Sequence, residues 1–292
     1  MENIMRNWTI PTEDSGQKLL AFLKKELGDG YSMRGIKTLV ENNACSINGR
    51  IERFASRVVG KGDKITLNIG PEAPQKPGNS TFDPSKVLFE DSFLLAYNKP
   101  PGISSQGVNG LEEVLQKHNS DLRLVHRLDK DTSGVILLAK SREIADKMDE
   151  QFRSRSIRKT YLAMVDGVPN ALKGHIQNYL GKSHSYQGQS IWAEKPEGEG
   201  KLAVTSWKKL KSSGNSSLLR CYPKTGRTHQ IRVHLSGIGH PVLGDYQYGK
   251  KFRSRLRPSE HLLHAEELCF AHPITQSEVL IKTSTPQRFT TS

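Results

Sequence analysis

A stretch rich in proline, glycine and small polar residues, at positions 70–85, divides this chain into a short and a long part. Four prolines lie within it, and proline removes a backbone donor and restricts φ, so the stretch predicts a linker. A chain of 292 residues also exceeds the length of one small domain. We therefore predict a small domain over residues 1–69, a linker over 70–85 and a larger domain over 86–292.

The short part carries the periodicities of two helices and several strands. Leucines recur at helical spacing over residues 17–27, and Ser32 is a suitable N-cap for a second helix. Asn48 and Gly49 predict a tight turn between two strands, and Lys64–Ile69 reads as a further strand. This part is predicted to be a compact α+β unit.

Residues 16–67 resemble the S4 RNA-binding domain. The pattern of that domain ends in an INGR turn and a GDKI strand, which stand here at residues 47–50 and 62–65. The resemblance implies a small S4-like domain that binds RNA.

Strand-like apolar runs alternate with helical runs after the linker. Helices are predicted over residues 111–117 and 143–152, and two paired strands over 87–89 and 93–97. Buried strands are predicted over four further runs, at residues 134–139, 160–165, 218–221 and 230–234.

Five motifs follow one another in this long part. They are NKPPG at 98–102, VHRLDKDTSG at 125–134, KTYLA at 159–163, TGRTHQIRVH at 225–234 and LLHAEELCFAHP at 262–273. Together they closely resemble the RluA-type family of pseudouridine synthases over residues 87–286. That resemblance implies an α+β chain whose catalytic domain has a mixed, largely antiparallel sheet. It also implies isomerisation of specific uridines in RNA, with no cofactor and no metal.

Asp129 is the candidate catalytic carboxylate. It follows the apolar Leu128 and precedes a buried strand, where an unpaired carboxylate is costly, and Arg232 is a candidate partner. Asp131 reads instead as a turn former. Isomerisation requires only one carboxylate, which either attacks C1′ or removes a ribose proton, and the sequence leaves both roles open.

The resemblance implies roles for further residues. Arg232 matches the arginine that pairs with the catalytic aspartate, and Tyr161 matches the tyrosine that packs on the target base. Arg127 matches an arginine that helps to hold the flipped-out conformation, which a paired uridine must adopt before C1′ is reachable. Arg227 is expected to contact the RNA backbone, and His229 to bind RNA beside it.

The positive charge of the chain is concentrated in one stretch. The net charge is +13, and residues 201–257 hold thirteen Lys and Arg against a single acid, Asp245. Neutralising phosphates and releasing counterions drives nucleic-acid binding, so this stretch predicts an RNA-binding surface that includes Lys250, Lys251 and Arg253.

Composition and spacing exclude several other classes. The three cysteines lie far apart, so neither a disulfide framework nor a zinc cluster is expected. The three histidines near the motifs, His126, His229 and His234, lack the i, i+4 spacing of helical metal ligands. No run approaches eighteen apolar residues and residues 1–15 lack an apolar core, so neither a membrane helix nor a signal peptide is expected.

The RNA substrate is less well determined than the reaction. Members of the family that carry an S4-like domain commonly act on large-subunit ribosomal RNA, which favours that substrate over transfer RNA. The sequence is also compatible with a non-catalytic RNA-binding or ribosome-assembly protein, and with a two-carboxylate hydrolase that uses Asp129 and Asp131. We expect a cytoplasmic monomer.

Overall fold

The computed structural model describes residues 4–41, 44–69, 82–186, 189–249, 251–256, 258 and 260–289. The chain divides into two compact units, an N-terminal one that ends at Gly78 and takes in residues 185–189, and a larger one formed by the rest. No helix among the described residues is long and apolar enough to cross a membrane. The predicted linker falls mostly on residues 70–81, which lie outside the described ranges.

The N-terminal unit combines two helices with a four-stranded antiparallel sheet. Its helices are α1 (Leu19–Leu27) and α2 (Met33–Glu41). Its strands are β1 (Ile4–Thr9), β2 (Cys45–Ile47), β3 (Arg50–Ile51) and β4 (Lys64–Ile69), in the order β1-β4-β2-β3. One apolar core holds buried side chains from both helices and from β2 and β4, and Trp8 of β1 packs against it.

The N-cap and the tight turn that the sequence predicts in this unit are both present. Ser32 Oγ accepts a hydrogen bond from the backbone N–H of Gly35 at 3.0 Å, which confirms the N-cap of α2. Asn48 and Gly49 both have positive φ, 53° and 73°, the geometry of a two-residue hairpin turn. The Asn48 side chain also bonds Asp63 and the backbone of Lys64, which ties the hairpin to β4.

The larger unit is built on an eleven-stranded mixed sheet. Its strand order is β11-β10-β12-β13-β9-β14-β8-β6-β5, with β15 paired to β14 and β7 paired to β8. Among the pairings with a described register, only β14 with β8 is parallel. The strands are β5 (Val87–Glu90), β6 (Leu94–Lys99), β7 (Arg123–Leu124), β8 (Ser133–Ala139), β9 (Arg158–Asp166), β10 (Lys173–Tyr186), β11 (Gln189–Lys195), β12 (Lys201–Ser213), β13 (Ser216–Pro223), β14 (Leu263–Ala271) and β15 (Glu278–Lys282).

Three helices cover this sheet, namely α3 (Leu111–Gln116), α4 (Arg142–Arg153) and α5 (Gln230–Gly237). Alternate residues of β8 enter two different cores, one shared with α4 and the other with α3. Every residue of β8 is buried as a result, which explains why it reads as a continuous apolar run. Helix α5 packs through Ile231 and Leu235 on β9, β12 and β13.

The prediction of a strand over residues 230–234 is wrong, because this segment begins helix α5. Ile231 and Val233 are β-branched and alternate with polar residues, which mimics a strand. In the helix, Gln230 and His234 are also buried, and tertiary hydrogen bonds satisfy their side chains. The Gln230 side chain accepts the backbone N–H of Arg227 at 3.0 Å and so fixes the turn before the helix.

The single parallel pairing depends on a glycine. Gly134, at the start of β8, has φ of +110° and pairs with Ala265 of β14. A Cβ at this position would lie 2.2 Å from the carbonyl oxygen of Ala265 and 2.7 Å from its nitrogen. Both are backbone atoms within a sheet, so neither gives way easily.

We predict that Gly134→Ala destabilises the larger unit by at least about 3 kcal/mol, since it combines overpacking with left-handed strain. The control is Gly198→Ala, which has a φ of +88° but open space around a new Cβ. It carries strain alone and should cost roughly 1–2 kcal/mol. Urea unfolding measures the free energy of unfolding of both variants. Equal losses of stability would show that the close approach of Gly134 to Ala265 is not the cause.

Candidate active site

The loop between β7 and β8 carries Asp129 at the floor of a cleft. The N–H of Thr132 donates to the carbonyl of Asp129 at 3.1 Å and closes a turn. The segment is therefore not extended, and Asp129 and Asp131 do not share a face through strand alternation. The strand alternation on which the two-carboxylate hydrolase prediction rested is therefore absent.

Side chains from other elements hold this loop on both sides of Asp129. Before it, Ser105 Oγ donates to the carbonyl of Leu128 at 2.7 Å and accepts its N–H at 3.0 Å. After it, the buried Lys99 donates to the carbonyl of Lys130 at 2.8 Å. The loop is therefore fixed by contacts distant in sequence, as a preorganised catalytic group requires.

The end of the loop is held by a second set of bonds. Thr132 Oγ1 and His261 Nε2 lie 2.7 Å apart, and Ser133 Oγ lies 2.8 Å from His264 Nδ1. Arg288, near the C-terminus, donates to Ser133 Oγ at 2.7 Å. Four segments of the chain thus position the residues around Asp129.

Asp129 forms the predicted ion pair with Arg232. Arg232 Nη1 donates to Asp129 Oδ2 at 3.0 Å, and the Asp129 side chain is 26% exposed at the cleft. Burial alone raises the pKa of Asp129, but the Arg232 cation and its hydrogen bond, together with the neighbouring histidines, hold this pKa below its usual value. The carboxylate is therefore ionised at neutral pH and accessible from the cleft.

Tyr161 and His229 border the same carboxylate. With Asp129 and Arg232 they line a recess of about 110 Å³. Burial, reinforced by the Asp129 charge, raises the pKa of Tyr161 above its usual value, so its phenol stays protonated. Burial and the Arg232 cation lower the pKa of His229 to about 4, so this imidazole is neutral. It lies 3.9 Å from Asp129 Oδ2 and contacts Tyr248 Oη at 2.7 Å.

The recess adjoins a larger basic cleft of about 750 Å³, and the two share Arg127, Asp129, Tyr161 and Arg227 in their linings. Seven cationic side chains line this cleft against two carboxylates, Asp129 and Asp149. The cations are Arg127, Lys130, Arg153, Arg155, Lys159, Lys224 and Arg227. Five of the seven come from outside the basic stretch at 201–257, so that stretch alone does not form the positive surface around Asp129.

The structure separates some predicted RNA-binding residues from this cleft. Arg227 and Arg127 line it, and Arg227 Nε also donates to the carbonyl of Leu202 at 2.9 Å. Arg253 does not line the cleft. Its guanidinium bonds Asp166 at the far end of β9, about 16 Å along the strand from Tyr161. Lys251 is exposed outside the cleft lining, and Lys250 lies outside the described residues.

Sequence reasoning missed three residues that shape the site. Lys99 stands in the NKPPG motif, which marked the segment but assigned it no contact. Asp245 accepts two hydrogen bonds from Arg232, and its only signal was that it is the sole acid of the basic stretch. Arg288 had no signal at all. No cluster of three potential metal ligands occurs in the described part of the chain.

Comparison with known proteins identifies the family of this chain. The family model for RNA pseudouridylate synthase matches residues 93–237. Two solved structures share the fold over 70% of this chain. They are the human proteins named RNA Pseudouridylate Synthase Domain Containing 4 and RNA Pseudouridylate Synthase Domain Containing 1. Their TM-scores are 0.57 and 0.59, their identities 28% and 27%, and the matches cover 90% and 84% of those chains.

Curated relatives extend the likeness to nearly the full length. Ribosomal large subunit pseudouridine synthase C of Buchnera aphidicola is 34% identical, over 88% of this chain and 90% of the relative. Ribosomal large subunit pseudouridine synthase D of Zymomonas mobilis is also 34% identical, over 88% and 86%. The chain therefore belongs to the RNA pseudouridine synthase family. It is of the RluA type that its motifs predicted, and it is an isomerase that converts uridine to pseudouridine.

We predict that stability falls as the pH drops from 6.5 towards 4. Burial lowers the pKa of His126 to about 3 and those of His229, His234, His261 and His264 to about 4, from an ordinary 6.5. The unfolded chain then binds more protons in this window, so stability present above pH 6.5 is lost on acidification. Each histidine contributes about 1.4 kcal/mol per pH unit at most.

The slope of unfolding free energy against pH is measured by urea unfolding between pH 7 and pH 5. His234→Gln should reduce this slope by the contribution of one histidine. The matched control is His175→Gln, which replaces an exposed histidine and should keep the wild-type slope. A slope unchanged in His234→Gln would show that this imidazole is not buried as a neutral base.

Proposed function

We propose that this enzyme isomerises specific uridines in large-subunit ribosomal RNA, with Asp129 as its catalytic carboxylate. The observation that carries the proposal is the ionised, accessible Asp129 carboxylate, which pairs with Arg232 and lines a cleft that also holds seven cations. The relatives named above support the substrate, since their names specify the ribosomal large subunit.

The reaction breaks the bond between N1 and C1′, turns the uracil and joins C5 to C1′, after which C5 loses its proton to a base and N1 takes up a proton. A carboxylate serves this sequence either by adding to C1′ or by removing a ribose proton. Asp129 suits both steps because it is ionised and reachable from the cleft. The Arg232 cation orients it and stabilises its charge.

The neighbours of Asp129 suit a base that has left its stack. In this proposal Tyr161 packs on the uracil, and its protonated phenol adds no charge to the recess. Arg127 is exposed at the cleft wall and helps to hold the flipped-out conformation. Arg227 and His229 border the same opening, where Arg227 contacts the RNA backbone.

The N-terminal unit fits a second RNA contact. We propose that it is an S4-like RNA-binding domain, because its two helices, its Asn48–Gly49 hairpin and β4 occur in the order of that motif. The enzyme is proposed to act as a monomer. A ribosomal RNA substrate would place it in the cytoplasm.

The first functional prediction concerns Asp129→Asn, which removes the reacting charge while keeping the shape. Cells that carry it should lose specific pseudouridines from large-subunit ribosomal RNA, detected by comparing pseudouridine maps with those of wild-type cells. Losses confined to transfer RNA would favour transfer RNA as the substrate. In vitro, the purified variant should bind RNA normally and release no tritium from C5-labelled uridine.

Asp131→Asn is the matched control, because Asp131 lies two residues away in the same turn. It should retain activity within about two orders of magnitude, a transition-state loss of roughly 3 kcal/mol or less. If Asp129→Asn released tritium at the wild-type rate, the assignment of Asp129 as the catalytic carboxylate would be wrong. Accumulation of free uracil with an abasic product would instead establish a hydrolase.

The second functional prediction concerns the cleft wall. Replacing Arg153, Arg155 and Lys224 with Ser should lower the slope of log affinity against log salt by about 2 to 3, since each lost phosphate contact contributes roughly 0.7–0.9. Filter binding with a ribosomal RNA fragment measures this slope.

The control removes the same charge elsewhere in the larger unit. Lys117, Lys147 and Lys282 are ion-paired lysines outside the cleft lining, and their replacement with Ser should change the slope by less than one contact's share. If the slope of log affinity against log salt fell instead with Lys251→Ser and Arg255→Ser, the main phosphate-binding surface would lie on the basic stretch outside the cleft.

A further inference from the structure

The guanidinium of Arg232 is shared unequally between two carboxylates. Asp245 accepts two hydrogen bonds along one edge of the guanidinium, from Nε to Oδ2 at 2.6 Å and from Nη2 to Oδ1 at 2.9 Å. Asp129 receives a single described bond, from Nη1 at 3.0 Å. The two-bond edge determines the plane of the guanidinium, so Asp245 rather than Asp129 sets the direction in which Nη1 points.

Asp245 is itself held rigidly. It is 2% exposed, and its Oδ1 accepts the backbone N–H groups of Gln247 and Tyr248 at 3.2 and 3.3 Å. Gln247 Oε1 accepts a further bond from Arg232 Nη2 at 2.7 Å, and its amide donates to the carbonyl of Ser190 at 3.2 Å. The arginine therefore rests in a preformed cradle that the RNA does not need to organise.

The cradle also determines how much charge remains at Asp129. One cation beside two ionised carboxylates leaves a net charge of −1, whereas Arg232 and Asp129 alone would neutralise each other. Asp245 is ionised, since the Arg232 cation outweighs the effect of burial and lowers the pKa of Asp245 to about 2. Asp129 is the more exposed of the two carboxylates, so the excess charge faces the substrate.

We propose that Asp245, assisted by Gln247, is a positioning residue for pseudouridine formation: it aims Arg232 Nη1 at Asp129 and keeps Asp129 from being fully neutralised. This rests on the proposed role of Asp129. Asp245 touches no RNA, because it lies buried behind Arg232. Its loss should therefore slow the chemical step and leave RNA affinity unchanged.

A purely structural role for Asp245 must be distinguished from this one, and the chain offers a matched control. Asp166 is also a buried aspartate, 1% exposed, with an arginine partner at 2.9 Å and a backbone N–H bond from Ser254 at 2.8 Å. It lies at the far end of β9 from Tyr161. Asp166→Asn therefore reproduces the structural cost without altering the surroundings of Asp129.

The experiment compares Asp245→Asn with Asp166→Asn for thermal unfolding, RNA affinity and single-turnover pseudouridine formation at saturating RNA. Both variants should unfold at lower temperature. Asp245→Asn should react at least a hundredfold more slowly with an affinity within threefold of wild type, and Asp166→Asn should react within twofold of wild type. Equal rates in the two variants would overturn the proposal.

Two further variants complete the test. Gln247→Met keeps the volume but removes one acceptor of Nη2, so it should slow the reaction about tenfold even if Asp245→Asn fails to fold. A wild-type rate in Gln247→Met, in that case, would overturn the proposal. Asp129→Asn in the same assay separates the two hypotheses: if it reacts normally, the role of Asp129 is wrong. If it is inactive while Asp245→Asn matches Asp166→Asn, only the role of Asp245 is wrong.

Discussion

The ion pair between Arg232 and Asp129 is the interaction on which the organisation of the site depends. A carboxylate beside a buried strand is costly without a partner, and the guanidinium makes it both ionised and stable there. The arginine is equally costly unless paired, and Asp245 and Gln247 accept three further hydrogen bonds from it. Helix α5 must therefore pack where Arg232 reaches Asp129, which couples the core beneath the helix to the chemistry above it.

The sheet supplies the second constraint. β8 pairs in parallel with β14 for two residues, and the close approach at Gly134 brings His261 and His264 beneath the Asp129 loop. The cations of the cleft then converge from four separate segments, around Arg127, Arg153, Lys159 and Arg227. A cationic lining of this kind is a property of the sheet topology, because five of its seven side chains come from outside the basic stretch at residues 201–257.

Much of the local structure was predictable because its causes are local. The cap at Ser32, the Asn48–Gly49 turn and the buried strand β8 depend on neighbouring residues or on a simple apolar run. The helix at Gln230 was predicted wrongly for the opposite reason. Its β-branched alternation favours a strand, while the bonds that fix it come from Thr225, Val204 and Thr205. Tertiary partners of that kind outweigh a weak intrinsic preference.

The sequence by itself determined the class of reaction, because the order and spacing of five motifs are written in the chain, and the same motifs predicted Asp129 and Arg232 as the centre of the site. Only the tertiary structure decided what surrounds them. Asp245, Lys99 and Arg288 act through hydrogen bonds whose partners stand 13, 31 and 155 residues away. Such contacts depend on folded distances, and neither periodicity nor composition records which buried polar groups will meet. The sequence therefore predicts which groups react, and packing decides how firmly and with what charge they are held.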